Sequence, residues 1–159
     1  MTGEIPHGWT VSRIDQVGRI QLGRQRSPQH HFGQHMRSYL RVANVFEDRI
    51  YTADVKEMNF TPSEFETYKL IPGDILLNEG QSPELLGRPA MYRGEPVDTC
   101  FTNSLIRFQA FEGVLPDWAL IVFRAHMHSG RFTREARITT SIAHLSAARF
   151  ASIEFPVPR

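Results

Sequence analysis

A chain of 159 residues, 41% hydrophobic and 22% charged, has the size and composition of one globular domain with its own core. Its single cysteine, Cys100, excludes an internal disulfide and a cysteine-built zinc site, and no apolar run is long enough to span a membrane. The net charge of +1 conceals a segregation: residues 1–46 carry six arginines against two acids, residues 47–117 six basic against thirteen acidic residues, and residues 118–159 six arginines against two acids. The balances are therefore +4, −7 and +4. If the two ends meet in the fold they build one positive face, the footprint of an anionic or nucleic-acid partner. Sixteen of the eighteen basic residues are arginine, whose planar donor fork matches phosphate and the guanine edge.

The leading residues Met1-Thr2-Gly3-Glu4 lack the charged-then-apolar pattern of a signal peptide, so a cytoplasmic location is expected. Ile5-Pro6-His7-Gly8-Trp9 reads as a punctuated lead-in whose tryptophan anchors it to the body. Thr10 is a candidate N-cap for a short helix over 11–17, and residues 19–23 alternate like a strand. The tract 24–34, with Arg24, Gln25, Arg26, Gln29, His30, His31 and Gln34, is too long and too polar for a simple turn, which marks a functional or mobile loop. Residues 39–45 suit a strand, and Ile50-Tyr51 begins its hairpin partner. Thr61-Pro62-Ser63-Glu64 is a capping box with proline at the first helical position, opening a helix to about Tyr68.

The stretch 69–82, KLIPGDILLNEGQS, organises the chain. Pro72-Gly73-Asp74 is a turn, Ile75-Leu76-Leu77 has the length of a buried strand, and the polar cluster from Asn78 to Ser82 follows at its end. A buried strand that delivers polar groups to its tip is how a rigid scaffold presents a recognition loop. Residues 86–92 and 100–108 read as two more strands, the second interrupted by Asn103 and Arg107. Pro116-Asp117 opens a helix through His128 that is apolar almost all round and ends at Ser129-Gly130. Residues 131–137 form a helical turn with three arginines, 139–146 are hydroxyl-rich, Ser146 caps a turn through Phe150, and 153–158 are a final strand. Leu76, Ile106, Val122 and Phe123 are expected in the core.

Enzyme motifs are sparse. The sequence holds no glycine-rich phosphate loop and no Gly-x-Ser-x-Gly elbow. Asp54-Val55-Lys56 matches the acid-x-lysine half of many metal-dependent nucleases, but its acidic partner would have to be Asp15, Glu47 or Asp48 in no recognisable context. His126 and His128 diverge on a helix, and the adjacent His30 and His31 are equally poor metal ligands. No catalytic residue, cofactor or metal site is therefore expected. Nucleic-acid binding fares better. Arg24, Arg26, Arg41, Arg88, Arg131, Arg134 and Arg137 supply phosphate or groove contacts, and amides and hydroxyls lie near them. Gln81, Ser82, Asn103, Thr139, Thr140 and His144 are the base-edge or positioning candidates, with Gln25 and Asn44 nearby. Arginine alone confers phosphate affinity; the second set is what specificity requires.

The ordered series Pro6/Gly8/Trp9, residues 39–45 (YLRVANV), residues 73–80 (GDILLNEG), 87–90 (GRPA), 102–107 (TNSLIR), 142–145 (IAHL) and 155–158 (FPVP) resembles the target recognition domain of the DNA specificity subunit of type I restriction–modification systems. The resemblance covers nearly the whole length. It implies an α+β fold, a curved and mostly antiparallel sheet with short packed helices, spanning residues 1–159 as a single recognition domain. It also implies noncatalytic reading of one half of a split duplex target. Methyltransferase and restriction subunits would be the protein partners, carrying out methyl transfer and cleavage. In that family a long spacer helix follows the Phe-Pro-x-Pro strand, and the sequence stops where it would begin. Two alternatives stay open: a protein-interaction module without DNA contact, and a metal-dependent nuclease using an unrecognised site.

Overall fold

The computed structural model describes residues 4–159, so Met1–Gly3 of the leading segment lie outside the described residues. In chain order the elements are β1 (Thr10–Arg13), α1 (Ile14–Val17), β2 (Gly18–Leu22), β3 (Met36–Leu40), β4 (Val45–Phe46), β5 (Arg49–Ile50), β6 (Lys56–Asn59) and α2 (Pro62–Tyr68). There follow β7 (Ile75–Asn78), β8 (Gly80–Gln81), β9 (Pro89–Met91), β10 (Thr99–Phe101), β11 (Leu105–Ala110) and α3 (Pro116–His128). The chain closes with α4 (Arg131–Glu135), β12 (Arg137–Thr139), β13 (Ile142–His144), α5 (Ala147–Ala151) and β14 (Glu154–Val157).

The architecture is α+β and largely antiparallel, divided among small sheets. A four-stranded antiparallel sheet in the order β2-β11-β7-β9 is the centre. Strand β7 is buried at all four positions because both faces of this sheet are covered, so Ile75-Leu76-Leu77 is an unbroken apolar run, and the buried Asn78 at its end donates to Leu85 O and accepts from Gly87 N. Ile75 and Leu77 face a core shared with Ile106, Phe108, Phe123, Phe132, Phe150 and Phe155 beneath α3, α5 and β14. Leu76 and Leu105 face a second core with Leu40, Val45, Tyr92 and Phe101. The four residues expected to be core are buried: Leu76, Ile106 and Phe123 fully, Val122 nearly so. Phe108 and Phe123 meet edge to face with their centroids 5.0 Å apart, while Phe108 and Phe155 stack.

A second sheet, β10-β3-β6, lies beside the first, with β10 and β3 parallel, and β1 pairs with β14 so that Thr10 faces Val157. Trp9 is the expected anchor, packed edge to face on Trp118 at 5.6 Å. The capping box at Thr61 forms as read: its hydroxyl accepts from Glu64 N at 3.1 Å and Glu64 Oε1 accepts from Thr61 N at 2.9 Å. Ser146 likewise caps α5, accepting from Arg149 N.

Three local expectations need correction. The helix expected over 11–17 is half strand, because residues 10–13 pair with the distant β14 and only 14–17 coil. The strand expected over 39–45 stops at Leu40, because the Asn44 carboxamide accepts from Arg41 N at 3.0 Å and winds 42–44 into a 3-10 turn. The segment 100–108 is two strands separated by a turn at 102–104.

Candidate nucleic-acid interface

The tip of β7 is a junction of backbone hydrogen bonds that joins both ends of the chain. Glu79 N donates to Ser104 O at 3.0 Å, Leu145 N donates to Glu79 O at 2.7 Å, and Asn103 N donates to Arg24 O at 3.2 Å. Gly23 N reaches Leu105 O and Arg24 N reaches Phe101 O on the same edge. The arginine-bearing loop that leaves β2 and the β12–β13 hairpin therefore flank one strand end. The hairpin joins β8 to form the three-stranded sheet β12-β13-β8, with Ala143 opposite Gln81 and His144 opposite Gly80. The two strands approach closely there: a Cβ at Gly80 would lie 3.0 Å from the His144 imidazole.

Between these parts lies a hollow of about 400 Å³ lined by Leu22, Glu79, Arg137, His144, Ser146, Ala147 and Arg149. His144 Nδ1 is 3.4 Å from Glu79 Oε1, so the carboxylate and imidazole share the floor. Arg137, Thr139, Thr140 and His144 are exposed along the hairpin, and Thr140 turns it at φ +54 with its hydroxyl on Thr139 O. Gln81 and Ser82 are half-buried beside it, with Gln81 Oε1 accepting from Ser82 N at 3.0 Å. Asn103 is exposed at the turn beyond β10. Arg26 is exposed on the opposite flank, its guanidinium 5.8 Å from the Tyr39 ring.

Other arginines are committed internally. Arg24 is 6% exposed; its guanidinium donates to Asn59 O, pairs with Glu64 at 2.9 Å and lies 4.8 Å from the Phe60 ring centre. Arg131 holds Glu154 and Glu135 at 2.8 and 2.9 Å. Burial alone would raise the Glu154 carboxyl, but its ion partners outweigh this, and it is held at about 2. Arg41 is tied to Asp54, donating to its carbonyl at 2.7 Å with the carboxylate 3.4 Å away. Arg88 donates to Val45 O and covers the Phe46 ring, and burial lowers its pKa. Asn44 is fully buried, its amide divided between Tyr51 O and Asp54 O. Each of these side chains is engaged by partners within the fold. Arg134 is exposed on α4, with one bond to Ser129 O.

Arg149 and Glu79 line this hollow and were not among the contact candidates read from the sequence. Arg149 was legible only as part of a capped turn, and Glu79 only as part of the polar cluster after β7. Asp54, half of the nuclease-like pair, is exposed and faces Arg41, and among the described residues no group of three His, Cys, Asp or Glu side chains is placed to hold a metal ion. No helix of the described residues is long and apolar enough to cross a membrane.

No protein-family model matches the chain, and no curated protein does. Solved structures do match. The HsdS subunit from Thermoanaerobacter tengcongensis superposes with a TM-score of 0.68 at 14% identity, over 98% of this chain and 34% of that one. A structure concerned with complex assembly and conformational transition of the type I R-M system gives 0.66 at 14% identity, over 98% and 35%. The type-I restriction-modification system S subunit from M. genitalium gives 0.53 at 12% identity, over 96% and 36%. The chain thus spans about a third of the length of these proteins, and it has the mixed, mainly antiparallel fold found in that third of a type I restriction–modification S subunit.

Proposed function

We propose that this chain is a DNA-reading domain of a type I specificity subunit, noncatalytic, and that it recognises one half of a split duplex target. One observation carries the reading: two acid-poor flanks from opposite ends of the sequence are tied by backbone bonds to the same strand tip, where polar side chains are left exposed. Arg26, Arg134, Arg137 and Arg149 are the phosphate contacts of this proposal. Asn103, Thr139, Thr140 and His144 reach base edges, with Gln81 and Ser82 supporting the hairpin. Glu79 provides an acceptor of the kind that reads a cytosine amine. In the assembled system, methyltransferase and restriction subunits are the partners that perform the chemistry.

Selection from a pool of random duplexes at low salt tests the proposal. Enrichment of a short sequence supports it, together with affinity that falls steeply as salt rises. A recovered pool indistinguishable from the input refutes it and favours the protein-interaction module instead.

A further inference from the structure

The loop between β2 and β3 carries the most conspicuous unpartnered apolar group among the described residues. Phe32 is 87% exposed, beyond Val97 at 73% and Leu115 at 72%. Single exposed hydrophobic residues are ordinary on protein surfaces, so exposure alone decides nothing. The surroundings do. Val97 sits between Glu95 and Asp98, and Leu115 between Glu112 and Asp117, where a nucleic acid is repelled. Around Phe32 the sequence is Gln29, His30, His31, Gly33, Gln34 and His35, and no acid occurs between Asp15 and Glu47.

The loop is also built to hold its shape. A 3-10 turn over 28–30 is closed by His30 N to Ser27 O at 2.9 Å and His31 N to Pro28 O at 3.1 Å. On the far side of the ring, His35 N donates to Asn59 Oδ1 at 2.8 Å and Phe60 N donates to His35 O at 2.9 Å. Gly33 lies so close to Asn59 that a Cβ would come within 2.3 Å of its carboxamide, so the chain after Phe32 is clamped to β6. With the backbone on both sides of Phe32 already fixed, binding has less backbone freedom left to remove.

We propose that Phe32 is a wedge that enters a base step of the bound duplex and stacks on the base it displaces. The inference rests on the DNA reading above and adds a shape-dependent term to it. Apolar side chains that enter base steps kink the duplex, and the unstacking they cost is lowest at flexible pyrimidine–purine steps. Phe32 therefore selects sequence at a position where it makes no hydrogen bond. The amides and imidazoles beside it are donors and acceptors for the groove edges next to that step.

The test uses a duplex recovered from the random pool, with 2-aminopurine substituted at successive positions. Binding of the wild-type chain raises the emission at one step, while Phe32→Ala binds roughly tenfold more weakly, as loss of one base–aromatic stack implies, and gives no rise. Because Phe32 is exposed, the variant retains its melting temperature, so lost folding cannot imitate the result. Wild-type binding without a localised rise overturns the wedge, as does a Phe32→Ala variant indistinguishable from wild type. A variant that keeps its DNA affinity and emission but loses capture of the methyltransferase subunit makes Phe32 a protein-docking knob, which also overturns it. If the wild-type chain recovers no duplex at all, the DNA reading fails and the wedge falls with it.

Discussion

Two arginines that look alike in the sequence, Arg24 and Arg137, differ in the fold: one is a buried tie and the other an exposed proposed contact. The Arg24 guanidinium is buried, pairs with Glu64 at 2.9 Å, donates to Asn59 O and covers Phe60. Truncation to alanine removes charge-assisted hydrogen bonds worth about 1.5–3 kcal/mol. The cost of about 3–5 kcal/mol for breaking a fully buried pair is an upper bound, because the Glu64 side chain keeps 32% of its exposure and is rehydrated. Arg24→Ala should therefore destabilise the fold by about 2–3 kcal/mol, read as a lower urea midpoint with an unchanged m-value. Arg137 is exposed on β12. Its alanine variant should keep the midpoint, weaken binding to all duplexes, and reduce the slope of log affinity against log salt by about 1. The opposite pairing would refute the division, with Arg24→Ala changing the salt slope at unchanged stability or Arg137→Ala lowering the urea midpoint.

Further expectations follow from the core and its ionisable groups. Phe123→Ala removes the ring that meets Phe108, Phe150 and Phe155, and should cost about 3–5 kcal/mol in chemical denaturation; a loss below 1 kcal/mol would contradict its place in the core. His126 is buried with its Nε2 2.9 Å from Glu154 O, and burial pushes its pKa below the ordinary 6.5, favouring the neutral ring. Since the unfolded chain binds that proton more readily, stability should be intact above about pH 6.5 and decline as pH falls below it. His126→Gln should flatten that limb of the urea midpoint against pH. Burial pushes the Cys100 thiol up to about 12, so iodoacetamide at pH 8 should leave the native chain unmodified and label it after denaturation; rapid labelling of the native chain would show that Cys100 is accessible.

What was legible in the sequence is what local chemistry decides. The Thr61 box, the Pro116 helix start and the Pro72-Gly73-Asp74 turn each draw on residues within a few positions, and the structure forms them where expected. Continuous apolar character identified β7 because both its faces are covered. Long-range pairing accounts for part of what was not legible, and the local Arg41–Asn44 bond that ends the strand at Leu40 accounts for another part. Residues 10–13 became strand because their partner lies at the other end of the chain, and Arg24 became an internal tie because Glu64 arrives on α2. The β12–β13 hairpin escaped notice because its turn uses Thr140 at positive φ, without the Asn-Gly or Asp-Gly signature that marks such turns. The site was legible as a set of basic and amide residues; which of them face outward was decided by acids elsewhere in the sequence.

The pairing of β1 with β14 bears on how this unit can be handled as a part. Thr10 lies across from Val157, and Arg159 packs against Gly8, so polypeptide arriving and polypeptide departing share one doorway. A module with a single doorway can be grafted into a foreign host, or rejoined head to tail and reopened at the exposed turn around Gly113, without stretching its frame. Such transplants would carry their loops with them, leaving the seam between host and guest unchanged whatever those loops recognise.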